Sequence, residues 1–168
     1  MLDEHEFSLH VRKPKFSEVE LNNWINNFKS EHHNRMIVHG SNGFNLEANI
    51  SGVHKRSTDQ WEEGKYISAA CHSFDEVINA TDKTKYTILS PIKNSISKKG
   101  YESKFNTDDL VSFFQRNEAQ TIALGGITPE SISEMKSIGF SGVALCGAIW
   151  EANDPINELK KAINECQE

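Results

Sequence analysis

Glycine and polar residues follow two consecutive apolar segments near the end of the chain. Gly125 and Gly126 come directly after one segment, and Cys146 and Gly147 come directly after the next. Glycine lets backbone N–H groups approach an anion closely, and the N-terminus of a helix favours negative charge. The pattern therefore predicts a phosphate cradle at these four residues. Turn geometry alone is the alternative use of the same glycines.

A second candidate is the long polar segment that follows residues 86–89. It carries Ser95, Ser97 and Lys98 in an otherwise acidic chain. Two hydroxyls and one ammonium at this spacing can surround phosphate oxygens, with the lysine acting as a point charge. A solvated loop rich in lysine is the alternative, and it is the more common use of such a segment.

Several single side chains also stand just after predicted strands. His72 could move protons near neutral pH, Arg12 could hold a phosphate, and Asp59 could ligate magnesium. Each has an ordinary structural alternative, namely a hydrogen-bonded imidazole, an ion pair or a surface acid. Cys71 and Cys146 are predicted to be small buried residues rather than nucleophiles.

The elements that position these residues alternate between short strands and helices. The apolar segments 7–11, 36–38, 51–53, 66–70, 86–89, 121–124 and 142–145 are predicted as seven strands. Strict alternation with helical segments implies parallel pairing and an α/β fold. The carboxyl ends of parallel strands lie at one edge of a sheet, so the candidate residues are expected along one rim.

Capping signals predict where helices begin and end. Ser17 with Glu20, and Ser73 with Glu76, form the capping-box pattern that satisfies free backbone donors at a helix N-terminus. Gly139 follows an amphipathic segment and is placed as its C-cap.

Composition limits the function classes. The 168 residues fit a single domain, 1–168, and the net charge of −6 argues against a nucleic-acid binder. No apolar run is long enough for a membrane span, and the acidic start does not resemble a secretory signal. The three cysteines are odd in number and widely spaced, which argues against a disulfide framework or a zinc site. A cytoplasmic protein is the expectation.

Together, these segments resemble the thiamine phosphate synthase and thiazole tautomerase family, from near the N-terminus to the last helix. The similar segments are LHVRKP at 9–14, GVH at 52–54, SAACHSFDE at 68–76, LSPIKNSISK at 89–98, ALGGI at 123–127 and GVALCGAI at 142–149. The resemblance implies a parallel (β/α)8 barrel that binds thiazole phosphate. In the synthase branch, this substrate is joined to hydroxymethylpyrimidine diphosphate with Mg²⁺, and diphosphate is released. The tautomerase branch isomerises a carboxylated thiazole phosphate by proton transfer and needs no metal.

The resemblance assigns roles position by position. Gly126 and the backbone of Cys146 and Gly147 match the thiazole-phosphate cradle. His72 falls on the acid–base histidine of the tautomerase, and we place it with Lys98 as the catalytic residues.

The remaining matches concern the diphosphate. Ser95, Ser97 and Lys98 match a Thr-x-Thr-Lys loop that touches the diphosphate and the thiazole substrate. Arg12 matches an arginine that binds the diphosphate, and Asp59 falls on the second of two magnesium aspartates.

Three positions depart from the family pattern. His39 and Gly40 stand where the first magnesium aspartate is expected, Pro14 replaces a lysine, and Ala70 replaces a serine. A diphosphate leaving group needs its charge neutralised, so the loss of one carboxylate weakens the magnesium site. The synthase reaction is the first hypothesis, and the tautomerase is the second. The third is a non-catalytic paralogue that binds thiazole phosphate or keeps only the scaffold.

The count of seven strands has its own consequence. Segment 7–11 corresponds to the second strand of the family, so the first β–α unit is expected to be missing. Segments 7–11 and 142–145 would then be exposed edges that invite pairing with another chain. Either a true start upstream or an open, self-associating barrel is expected.

Overall fold

The computed structural model describes residues 7–40, 46–94 and 103–167. Within these residues the strands are β1 (Leu9–Val11), β2 (Met36–His39), β3 (Gly52–Lys55), β4 (Tyr66–Cys71), β5 (Tyr86–Leu89), β6 (Thr121–Leu124) and β7 (Gly142–Ala144). The α-helices are α1 (Glu18–Asn26), α2 (Phe74–Thr81), α3 (Thr107–Arg116), α4 (Ile132–Ile138), α5 (Gly147–Trp150) and α6 (Pro155–Gln167). Short 3₁₀ helices span Ser30–Arg35 and Pro129–Ser131.

The strands follow one another in the sheet in chain order, from β1 to β7. The pairs β1–β2, β2–β3, β3–β4, β5–β6 and β6–β7 are parallel. The predicted α/β fold with seven parallel strands is therefore confirmed. None of the helices in the described part of the chain is long and apolar enough to cross a membrane.

The chain divides into two compact units, Met1–Ala69 and Ala70–Glu168. We refer to them as the N-terminal unit and the C-terminal unit. The single domain predicted for 1–168 stays a prediction.

The core of the N-terminal unit lies between the first strands and α1. Ser17 and Glu20 form the predicted capping box: the Ser17 Oγ accepts from the Glu20 N–H at 3.3 Å, and the Glu20 carboxylate accepts from the Ser17 N–H at 2.8 Å. The helix that begins there buries its apolar stripe against the strands. The buried residues of this cluster are Val11, Leu21, Ile25, Met36 and Val38.

The helices of the C-terminal unit also follow their capping signals, with one difference. Ser73 caps α2 by accepting from the Glu76 N–H at 3.2 Å. The Glu76 carboxylate accepts from the His72 N–H at 2.5 Å instead of from the Ser73 N–H, so the capping box is not completed. Gly139 ends α4 at φ +116°, in the left-handed region that the predicted C-cap requires.

Two strands of the N-terminal unit are longer than predicted. β2 runs to His39, and β3 runs to Lys55, whereas the sequence pattern ended them at 38 and 53. The reason is that His39 and His54 are register partners on neighbouring strands, so backbone pairing extends the ladder past the apolar residues. His54 therefore belongs to the sheet, although the sequence placed it in the following loop.

Candidate functional site

Three histidines of the N-terminal unit project from the same face of the sheet. His39 and His54 are register partners, and His10 pairs with the residue two positions before His39. Side chains alternate between the two faces of a strand, so all three imidazoles lie on one side. Val11 and Val38, the neighbours of these histidines in β1 and β2, point to the other side, into the core beneath α1.

The three rings are in contact. His10 Nδ1 lies 3.1 Å from His39 Nε2, and the ring centroids of His39 and His54 are 4.3 Å apart. His54 Nδ1 lies 2.8 Å from the hydroxyl oxygen of Ser68 on β4. The register between β3 and β4 shifts at this point, so that His54 pairs with Ser68 and Ile67 is skipped. The irregularity thus aims the hydroxyl at the imidazole, a common use of a β-bulge.

Burial keeps these imidazoles neutral. It lowers the pKa of His10 and of His39 to about 4 and that of His54 to about 2, because a buried imidazolium loses its hydration. For His39 and His54, the charges of neighbouring groups add to the effect. Near neutral pH all three rings therefore have a nitrogen lone pair available.

Asp59 is held by an arginine. Its carboxylate accepts from Arg56 Nη2 at 2.7 Å, from Arg56 Nε at 3.0 Å and from the Arg56 backbone N–H at 2.9 Å. Burial raises the pKa of Asp59, but these hydrogen bonds and the guanidinium charge outweigh it, and the pKa ends below its usual value. The first role of this carboxylate is therefore to fix the turn after β3.

The surroundings of Asp59 do not fit a magnesium ion. Mg²⁺ requires oxygen ligands in near-octahedral geometry. The side chains whose charges act on Asp59 are those of Arg56 and Lys55, and the position of the expected second aspartate holds His39. The assignment of Asp59 to a metal stays a prediction, and the titratable side chains near it are those of Arg56, Lys55, His39 and Tyr66.

Arg12 follows β1 directly and is exposed. Its charge and that of Arg56 both lower the pKa of His39, after the larger effect of burial. Two guanidinium groups therefore stand near one imidazole in the N-terminal unit. This positive region includes the predicted phosphate ligand Arg12.

In the C-terminal unit, His72 directly follows β4 and is anchored through one nitrogen. Its Nδ1–H donates to the Ser90 carbonyl oxygen at 2.9 Å, and its backbone N–H donates to Glu76. Because a carbonyl can only accept, this bond fixes the proton on Nδ1 and leaves Nε2 as an acceptor. His72 is exposed, so Nε2 is available to a bound molecule.

The two glycines after β6 are required by a close approach of backbone. Gly125 and Gly126 have φ values of +98° and +66°. A Cβ on Gly125 would lie 2.9 Å from the Pro91 Cα, and a Cβ on Gly126 would overlap the Asn94 carbonyl oxygen. The Lys93 N–H also donates to the Gly125 carbonyl oxygen at 2.9 Å. These contacts account for the glycines structurally, and the phosphate cradle stays a prediction.

The residues after β7 differ from the prediction. Cys146 is exposed as the N-cap of α5, and Gly147 is the first residue of that helix. The predicted burial of Cys146 is wrong because β7 ends at Ala144, which places the cysteine beyond the sheet. The predicted burial of Cys71 is confirmed, since this residue is the last of β4 and is 1% exposed.

The predicted loop with two hydroxyls and a lysine follows β5. Ser95, Ser97 and Lys98 lie outside the described residues. Just before them, Lys93 forms an ion pair with Glu134 at 2.6 Å, beside a cavity of about 490 Å³ whose wall includes Gly126. Glu134 balances the charge of Lys93, so this lysine adds little positive charge there.

The histidine cluster was missed by sequence reasoning. His10 and His54 lie in segments that resemble the family, and His39 stands at a position that departs from its pattern. The available signal was one histidine on or directly after each of the first three predicted strands. Spacing along the chain does not show that they share a face, because that depends on the register.

Residues 9–149 match the family model described as thiamine monophosphate synthase. Among curated proteins, the thiamine-phosphate synthase of Bacteroides fragilis (strain ATCC 25285) is 30% identical over 108 residues, which cover 61% of this chain and 53% of that protein. The thiamine-phosphate synthase of Lactococcus lactis subsp. lactis is 30% identical over 76 residues, which cover 45% of this chain and 35% of that protein. The chain spans about half the length of the first relative and about a third of the second.

Solved structures extend the similarity in fold. Thiamine phosphate pyrophosphorylase from Bacteroides thetaiotaomicron is 25% identical, with a TM-score of 0.79 over 95% of this chain and 84% of that one. The pyrophosphorylase from Pyrococcus furiosus is 16% identical, with a TM-score of 0.81 over 99% of this chain and 85% of that one. At 16% identity, the second likeness concerns the fold alone.

Proposed function

The chain belongs to the thiamine monophosphate synthase family, and from this premise we propose that it is a transferase of thiamine biosynthesis. The proposed reaction joins hydroxymethylpyrimidine diphosphate to thiazole phosphate and releases diphosphate. The family match over residues 9–149 carries this proposal, and the shared name of the curated relatives supports it.

The positive region of the N-terminal unit supports the same reaction. The bond between the pyrimidine methylene and the diphosphate breaks with its electron pair leaving on the diphosphate. The cation-like pyrimidine then accepts an electron pair from the thiazole, so that one bond forms as the other is lost. Arg12 supplies positive charge where the leaving group would gain negative charge, whereas the charge of Arg56 is largely balanced by its ion pair with Asp59. Asp59 is the carboxylate whose charge opposes them at His39.

Magnesium has no step in this proposal. The resemblance implies Mg²⁺ for the synthase branch and none for the tautomerase branch, but the side chains around Asp59 do not offer the oxygen ligands that it prefers. We place the neutralisation of the diphosphate on Arg12 first, because Arg56 is already paired with Asp59. Ser95, Ser97 and Lys98 would assist, by the resemblance.

The thiazole phosphate is assigned to the C-terminal unit. We propose that the turns at Gly125 and Gly126 and at Cys146 and Gly147 present backbone N–H groups to its phosphate. The left-handed backbone at both residues of the first turn supports this assignment.

A second candidate function is thiazole tautomerisation, and the geometry of His72 favours it. Nδ1 is fixed on the Ser90 carbonyl, and Nε2 is available as a base. In this reaction Nε2 would take a proton from one position of the ring and return it at another. No metal is needed, which agrees with the poor fit of magnesium beside Asp59.

The decisive experiment supplies the full chain with both substrates, with and without Mg²⁺, and measures diphosphate. If diphosphate is released in the same amount as thiamine phosphate is formed, the result supports the transferase. If none is released while a carboxylated thiazole phosphate is isomerised, the tautomerase replaces it. Titration calorimetry with thiazole phosphate distinguishes the third hypothesis, because no heat at millimolar ligand would leave only a scaffold.

We further propose that the partners are small molecules only, with neither nucleic acid nor membrane, and that the protein works in the cytoplasm. Among the described strands, β1 pairs with β2 only and β7 with β6 only, so each presents an edge. Self-association through these edges is the expectation. A monomeric mass of the full chain by light scattering would contradict it.

A further inference from the structure

We propose that His10, His39 and His54 form a binding site for a divalent transition-metal ion of the zinc class. One nitrogen from each ring lies within 4.8 Å of the other two. The site uses no cysteine, so the argument from cysteine spacing against a zinc site does not apply to it. This inference does not depend on the proposed function, since it concerns metal binding alone.

The spacing of the nitrogens is close to that of a tetrahedral site. With Zn–N bonds of about 2.0–2.1 Å, two ligand nitrogens are about 3.3 Å apart. His10 Nδ1 and His39 Nε2 are already 3.1 Å apart. Small shifts of the His10 and His39 side chains towards His54 would bring the three nitrogens to this spacing. The backbone need not move, since the three strands already align the side chains.

The ring of His54 is oriented by a neighbour that the metal would not displace. Its Nδ1 is bonded to the Ser68 hydroxyl, which leaves Nε2 for the ion. Histidines that bind metals usually hold their second nitrogen in this way, because the bond fixes the ring and its tautomer. His54 is 2% exposed and Ser68 is fully buried, so the pair cannot exchange this bond for water.

The protonation of the rings suits metal binding. A metal needs an imidazole lone pair, and these histidines stay neutral because they are buried. Without metal, one proton lies between His10 Nδ1 and His39 Nε2. On binding, this proton moves to the other nitrogen of the same ring, so both rings stay neutral and both nitrogens bind the ion.

The donor set selects the class of ion. Imidazole suits Zn²⁺, Cu²⁺, Ni²⁺ and Co²⁺, whereas Mg²⁺ prefers oxygen. Three histidines leave a fourth position open for water or an anion. The charges of Arg12, Arg56 and Lys55 oppose a bound cation, and Asp59 partly offsets them. We therefore expect weaker affinity than in a site with a charged ligand.

Cobalt provides the test, because four-coordinate Co²⁺ has intense visible absorption bands. The full chain is titrated with Co²⁺, and Zn²⁺ is then added. We expect one equivalent of Co²⁺ to bind, with no thiolate charge-transfer band, and Zn²⁺ to abolish the spectrum. His10→Gln and His39→Gln should each weaken binding at least tenfold. His32→Gln is the matched control, since that histidine is outside the cluster, and it should bind like the wild type.

Specific results would overturn the proposal. These are no metal bound by the wild type, a thiolate band, or binding by His10→Gln and His39→Gln equal to the wild type. Circular dichroism checks that each variant is folded. If both histidine variants unfold, Ser68→Ala decides, because it removes the bond that orients His54 without touching the ligands. A loss of about tenfold in its affinity supports the site, and an unchanged affinity rejects it.

Discussion

The two units place their polar groups in different ways. In the N-terminal unit, His10, His39 and His54 come from the strands themselves, and the register brings their rings together. In the C-terminal unit, His72 and the Gly125–Gly126 turn follow the strand ends, where backbone contacts hold them. The first arrangement has no sequence motif, whereas the second can be predicted from the order of residues along the chain.

The difference also concerns electrostatics. The histidine cluster is partly or fully buried and stays neutral, with two arginines and a lysine nearby. His72 is exposed and keeps one nitrogen for a proton. A buried, neutral imidazole suits metal binding, and an exposed imidazole suits proton transfer. The two units are therefore suited to different chemistry.

The largest effect is expected at His72. His72→Gln removes the acceptor at Nε2 while keeping a side chain that can donate to the Ser90 carbonyl. If the protein is a tautomerase, turnover should fall about 100-fold or more, because the proton has no base to go to. Isomerisation of the carboxylated thiazole phosphate is followed by NMR. His32→Gln serves as the control, and unchanged turnover in His72→Gln would exclude this role.

A large effect on stability is expected at Gly126. Gly126→Ala should lower the free energy of unfolding by about 3 kcal/mol, because it combines left-handed backbone with a clash against the segment at Asn94. Gly64 in the N-terminal unit is the matched control: its φ is +69°, but nothing beyond its two chain neighbours lies within 4 Å of the added Cβ. Gly64→Ala should cost about 1 kcal/mol. Equal losses in urea unfolding would show that the clash contributes nothing.

The histidine cluster makes stability depend on pH. The pKa values of about 4 for His10 and His39 and about 2 for His54 lie below the value of 6.5 for an unfolded chain. Below about pH 6.5 the unfolded state binds more protons, so the stabilisation is complete above that pH and is lost as the pH falls. The charged groups that face these rings are Arg12, Lys55, Arg56 and Asp59.

The measurement is the urea midpoint at about pH 7 and pH 5, which lie on either side of the unfolded value. The wild type should lose stability between them, and His10→Gln or His39→Gln should lose less because one titrating group is gone. His32→Gln should follow the wild type. A wild-type midpoint that rises toward pH 5 would contradict the direction of these pKa shifts.

The smallest effect is expected at the helix caps. Ser17→Ala and Ser73→Ala should each reduce the free energy of unfolding by about 1 kcal/mol, because each leaves one backbone N–H without its side-chain acceptor. Ser57→Ala changes an exposed serine and should stay within about 0.5 kcal/mol of the wild type. A loss at Ser57 as large as at the caps would mean that capping is not the cause.

Much of the fold could be predicted because its signals are local. The N-caps at Ser17 and Ser73, the C-cap at Gly139 and the seven apolar segments depend on residues within a few positions of one another. Strand ends were less predictable: β2 and β3 extend through His39 and His54 because their backbones pair, whatever the polarity of the side chains. Cys146 was misplaced for a related reason, since the pairing of β7 stops at Ala144.

The sequence by itself determined the α/β alternation and the family, because each depends on composition and order along the chain. Only the tertiary structure decided that His10, His39 and His54 share one face, that Ser68 reaches His54 through a β-bulge, and that Arg56 holds Asp59. These contacts arise from strand register. A shift by one residue moves a side chain to the opposite face, so spacing along the chain cannot specify which polar groups meet.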